Sequence, residues 1–129
     1  MSRFLSLLLM LGAVTLTGCG AKLNEEKAFN LSPTDRDKIL LFDPQSSEQT
    51  LKAVVTSSEP VDLFVFLKKD VADPAGTDDA ERKKKAIASK LGTTSDTLTV
   101  KVPAKQEYSL LVSLSLKSKK ADGKVKITN

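Results

Sequence analysis

"YSLLVSLSL", Tyr108 to Leu116, is the stretch on which the fold turns. Tyr108, Leu110, Val112, Leu114 and Leu116 share one face of an extended chain, while Ser109, Leu111, Ser113 and Ser115 share the other. Side chains alternate across a strand, so this pattern predicts a half-buried strand with its apolar face inward and its serines in water. Leu111 is the one residue out of step. The same period recurs on both sides. "TLTVKV", Thr97 to Val102, places Leu98, Val100 and Val102 inward, and "KVKIT", Lys124 to Thr128, does so with Val125 and Ile127. "VDLFVFL", Val61 to Leu67, is apolar on both faces apart from Asp62, which predicts a central strand covered twice. "KILLF" (Lys38 to Phe42) and "TLKAVVT" (Thr50 to Thr56) complete the set, with weaker candidates at Ala28–Leu31 and Ala86–Ser89.

Turn-forming residues separate these runs. Pro44 breaks "DPQSSE", Pro60 ends "SSEP" and Pro103 interrupts "VPAK". "ADG", Ala121 to Gly123, has the chemistry of a tight Asp-Gly turn and predicts a hairpin between the flanking strands. Short strands with regular breaks over about 100 residues predict an all-β protein, a small antiparallel β-sandwich over 28–129. One segment does not alternate. Asp78 to Gly92, "DDAERKKKAIASKLG", has acids leading, bases following and a glycine suited to a C-cap, yet its apolar residues share a face only loosely. It is expected to be a polar loop with one helical turn, leading into a strand near Ala86.

The order of these runs resembles the bacterial pre-peptidase C-terminal domain. "VDLFVFL" is similar to that family's strand with an acidic residue before alternating apolar ones, and "AIASKLGTTSDTLTVKVPAKQEYSLLVSL" to its later half, where a Tyr opens a long strand. The resemblance implies a jelly-roll-like sandwich that accompanies an enzyme without itself being one. The chain departs from the pattern where Lys105-Gln106-Glu107 fills a turn that usually holds Gly, and in its lysine-rich insertion at Arg82–Lys85. An immunoglobulin-like or fibronectin-like sandwich accounts for the same alternation.

Upstream of the strands, Met1-Ser2-Arg3 is followed by an apolar run, "FLSLLLMLGAVTL", from Phe4 to Leu16. As a helix it would reach roughly 20 Å, short of a hydrocarbon core of roughly 30 Å. A positive start, a short apolar core and small residues after it make 1–18 a signal peptide. The run ends in "LTGC", Leu16-Thr17-Gly18-Cys19, which resembles a bacterial lipobox and contains the chain's only cysteine. That resemblance implies recognition of Leu16, Thr17 and Gly18 by a dedicated signal peptidase, cleavage before Cys19, and a diacylglyceryl group on its sulfur. Several long acyl chains on one residue would anchor the protein for its lifetime, whereas one chain binds only reversibly. Residues 19–27 would be the lipidated cysteine and a short polar tether. Gly20 lacks the acidic character that retains enterobacterial lipoproteins in the inner membrane, so the expected address is the envelope, at the outer membrane facing the periplasm.

Composition narrows the chemistry. Twenty basic and 16 acidic residues leave a formal charge of +4, no basic stripe interleaves with aromatics, and nucleic acid is excluded as a partner. Histidine and tryptophan are absent and tyrosine occurs once, which removes the commonest general base and the usual carbohydrate platforms. Neighbouring Ser89 and Lys90 would point to opposite faces of a strand, so no Ser–Lys pair forms there. Asp70, Asp73, Asp78 and Asp79 surround one loop rich in the oxygens calcium prefers, but their spacing matches no EF-hand. "ERKKK", Glu81 to Lys85, is either a hydrated loop or a contact for anionic head groups. The expectation is an anchored, non-catalytic β-module without catalytic residues, metal or cofactor. Its partners would be the membrane, through the lipid, and an envelope protein. An accessory enzyme subunit or a calcium- or ligand-binding lipoprotein is the alternative.

Overall fold

Six strands and one short helix make up residues 22–129, the part of the chain that the computed structural model describes. The expected signal peptide, 1–18, and the Leu16–Cys19 motif lie outside the described residues. The elements are β1 (Asn24–Leu31), β2 (Asp37–Phe42), β3 (Gln49–Leu67), α1 (Asp79–Lys85), β4 (Ala88–Val102), β5 (Tyr108–Leu114) and β6 (Ala121–Thr128). Every pairing is antiparallel. The all-β class holds, and the strands form a single sheet that curls into a nearly closed barrel.

The 19-residue β3 organises it. Along one edge it pairs with β4; along the other, Lys52–Ser57 pair with β6 and Val61–Leu67 with β5. β1 extends the sheet beyond β6, and β2 extends it beyond β5. The two layers, β1-β6-β3-β4 and β2-β5-β3-β4, therefore share β3 and β4, which bend from one layer into the other. The bend lies where the register slips. Between Thr56↔Ser95 and Val61↔Thr93, β3 advances five residues while β4 advances two. A second slip follows before Leu63↔Lys90, beside Gly92, whose φ of 61° only glycine adopts at little steric cost. The sequence break at "SSEP" is thus a corner within the long β3, and Gly92, expected as a helix C-cap, lies at the matching corner of β4. Pro60 still bonds across the corner, its carbonyl accepting from Ser115 N and Ser118 Oγ.

Inside the curl, Leu51, Val55, Leu63, Val65, Leu98, Leu110, Val112, Val125 and Ile127 join one core. Each such side chain removed from water stabilises the fold by about 1.5–3 kcal/mol. Val61–Leu67 is covered twice as expected, because Phe64 and Phe66 pack outward with Val71 and Leu111 in a second, smaller cluster.

Four expectations need correction. Gly123 is no turn residue: it lies inside β6, paired with Phe29 on one side and Ser57 on the other. β5 and β6 consequently form no hairpin. β5 stops at Leu114, leaving Leu116 79% exposed. Ser109, Ser113 and Ser115 are buried rather than in water: Ser113 lies under residues 68–87, accepting from Arg82 Nη1, and Ser115 N donates to Pro60 O at the corner of β3. The proposed tether also shortens, since Asn24–Lys27 are strand, paired with Thr128–Val125 of β6. Within Asp78–Gly92, the helical part is the seven residues of α1, N-capped by Asp78 Oδ1, which accepts from Glu81 N at 2.8 Å.

Candidate functional site: a groove beside the chain entry

Residues 68–87 form a flap over β3 and β5. It begins with a turn in which Leu67 O accepts from Asp70 N and Val71 N, and ends where Ile87 N donates to Val65 O at 2.8 Å. The flap hides Phe64, Phe66 and Leu111 but stops short of the last two pairs between β2 and β5, where Leu41 opposes Ser109 and Phe42 opposes Tyr108. What it leaves is a groove of about 260 Å³ lined by Leu41, Phe42, Val71, Pro74, Tyr108 and Ser109. Lys68 and Glu107 form an exposed ion pair at 2.8 Å on its rim. Such a pair contributes little to stability.

Phe42 stacks on Tyr108 with centroids 4.9 Å apart. Behind that stack lies a smaller recess of about 150 Å³, shared by Leu41, Phe42 and Tyr108 with Lys22, Leu23 and Asn129. It sits where the barrel fails to close. β1 and β2 leave the tight Ser32–Asp35 turn together, then separate, one to β6 and the other to β5. At the open end the entering chain is tied down by Leu23 N, which donates to Asn129 Oδ1 at 2.7 Å. The neighbouring turn uses Lys105 at φ 62°, a conformation that favours glycine, and Lys105 N donates to Gln45 O at 2.7 Å.

Two hydroxyls belong to this groove. Burial first, and the nearby Glu25 carboxylate second, push the Tyr108 phenol above its ordinary 10.0. A raised value favours the neutral phenol in the folded state, so its contribution to stability is complete below pH 10 and is lost as the pH rises through the folded value. Because the chain has one tyrosine and no tryptophan, phenolate absorbance reports this group alone. Its titration is expected to have a midpoint above 10, moving to the ordinary value in denaturant; equal midpoints would contradict a buried Tyr108. The second hydroxyl is Ser109 Oγ. It is buried without a hydrogen-bond partner, alone in this among buried side-chain polar atoms of the described residues. Alternation assigned Ser109 to solvent, and no local signal in the strand announces its burial.

The other residues singled out in the sequence are placed elsewhere. Of the four aspartates, Asp78 caps α1 and Asp79 contacts Arg82 at 3.4 Å. No group of three or more metal-binding side chains gathers among the described residues. Arg82 leaves the run of exposed lysines and turns inward, its side chain 7% exposed, to bond Asp37 and Ser113. Lys90 pairs with Asp96 at 3.6 Å rather than approaching Ser89 Oγ. The groove offers mainly apolar contact from Leu41, Val71 and Pro74, with the Lys68–Glu107 ion pair on its rim. No protein-family model matches this chain, and no curated protein matches it.

Proposed function

We propose that this chain is a bacterial envelope lipoprotein, anchored through Cys19, whose barrel is a non-catalytic module with a structural or partner-binding role at the outer membrane, facing the periplasm. The observation that carries this reading is the position of the only cysteine. It directly follows Leu16-Thr17-Gly18 at the end of an apolar leader, and Lys22, three residues on, already lines a recess of the folded body. The resemblance of the order of the apolar runs to the pre-peptidase C-terminal domain supports an accessory module without an active site of its own. A second reading, a ligand-binding lipoprotein, has the apolar groove of about 260 Å³ beside Leu41, Val71 and Pro74 in its favour.

Labelled palmitate and mass spectrometry test the anchor. The wild-type chain is expected to incorporate the label and to begin at Cys19 after processing. Cys19→Ser is expected to incorporate none and to accumulate as the uncut precursor. Label retained by Cys19→Ser, or a mature chain starting elsewhere, overturns the assignment.

A further inference from the structure

We infer that the body does not swing freely but rests on the bilayer by one end, the end bearing the groove, with Leu41 in contact with lipid. The inference rests on the anchor at Cys19 and follows from the length of chain between that residue and the fold. Pairing of β1 with β6 starts at Asn24↔Thr128, and Leu23 N is already held by Asn129. Only three Cα–Cα steps separate Cys19 from Lys22. At about 3.8 Å each they reach at most about 11 Å. A body of this size is roughly 30 Å across, taking a radius of gyration near 13 Å. The anchored face is therefore the face on which Lys22 lies.

That face is suited to lipid. Lys22 and Leu23 share a recess with Leu41, and Leu41 is 80% exposed on the outer face of β2, an edge strand. A large apolar side chain on an open edge is a liability in water, and covering it with lipid removes the liability. The charges here are mixed: Lys22 and Lys68 stand against Glu25, Asp43 and Glu107. Attraction to anionic head groups is not what seats the body, so the contact is expected to survive high salt. A lone leucine would not hold a free protein on a membrane, but a tether this short makes the second contact intramolecular. Leu116, 79% exposed beyond the last residue of β5, marks the opposite end.

The lipidated full chain leaves an introduced cysteine as its only free thiol. Ser46→Cys, in the β2–β3 turn, and Lys117→Cys, beyond β5, are each labelled with an environment-sensitive fluorophore. The proteins are reconstituted in vesicles of phosphatidylethanolamine and phosphatidylglycerol containing lipids with a nitroxide at the head group. Quenching is expected to be at least twofold stronger at position 46 than at 117, to be unchanged at high salt, and to fall in Ser46→Cys/Leu41→Asp, whose fold is checked by circular dichroism. Equal quenching at both positions of a chain shown by mass spectrometry to carry the Cys19 lipid overturns the orientation alone. Loss of quenching at high salt overturns the apolar seat in favour of charge. A chain without the Cys19 lipid overturns the orientation together with the anchor.

Discussion

Gly123→Val is expected to lower the melting temperature of the domain by roughly 10–20 °C, the equivalent of about 3 kcal/mol of overpacking that no rotamer relieves. The reason is the distance between backbones. A Cβ built on Gly123 overlaps the carbonyl oxygen of Thr56 and comes within 2.7 Å of Phe29 Cζ and 2.9 Å of Ser57 Cα. Two of these three atoms are main chain and cannot turn aside. β6 lies between β1 and β3, with Gly123 paired to Phe29 on one and Ser57 on the other, so relief requires opening a pairing. Gly123→Ala is expected to shift the melt in the same direction by less. Asp122→Ala, one residue away and exposed, should stay within about 0.5 kcal/mol. Thermal unfolding followed by circular dichroism separates the three. A Gly123→Val domain that melts like the wild type would mean that β6 does not run between β1 and β3 at that register.

Gly123 also shows where local sequence stops being informative. Asp-Gly between two alternating runs has the chemistry of a hairpin turn, and nothing within five residues distinguishes that from a glycine needed for close approach. The distinction is made by Thr56 and Phe29, both more than 60 residues away in the chain. Features set by local pattern were legible. Period-two alternation located the inner-facing residues of β5 as far as Leu114, Leu98, Val100 and Val102 of β4, and Val125 and Ile127 of β6, and the doubly apolar Val61–Leu67 announced that something covers it from outside. What covers it was not legible, because the flap is largely polar and much of its hold on the sheet is a set of hydrogen bonds to one arginine, beside the packing of Val71. Ser57 to Pro60 read as a break between two strands, but a change of direction ends a strand only if the pairing stops, and here β4 follows β3 around the corner. The groove was illegible for the same reason: it exists only because the flap stops short of Leu41 and Ser109.

The flap's attachment leads to the other large effect. Arg82→Leu is expected to destabilise the domain by about 3 kcal/mol, the usual cost of leaving one member of a buried ion pair without the other. Arg82 gathers three separate elements. Its Nη2 donates to Asp37 Oδ2 of β2 at 3.1 Å and to Ala75 O at 3.3 Å, its Nη1 to Ser113 Oγ of β5 at 3.3 Å, and its Nε to Pro74 O at 3.2 Å. Ser113 Oγ in turn donates to Asp37 Oδ1 at 2.7 Å. A planar guanidinium with five N–H donors supplies this fork, and a lysine ammonium with three does not, so Arg82→Lys should recover only part of the loss. Once the flap is loosened, Phe64, Phe66 and Leu111 lose their cover, and Arg82→Leu should bind an apolar-surface dye that the wild type ignores. A double-mutant cycle isolates the charge pair. Asp37→Asn together with Arg82→Leu is expected to cost less than the sum of the single changes, by about 1–3 kcal/mol, because the second substitution removes the carboxylate that the first left buried and unpaired. Strict additivity in that cycle would show that Arg82 holds the flap by packing of its aliphatic stem, with the ion pair contributing nothing to the attachment.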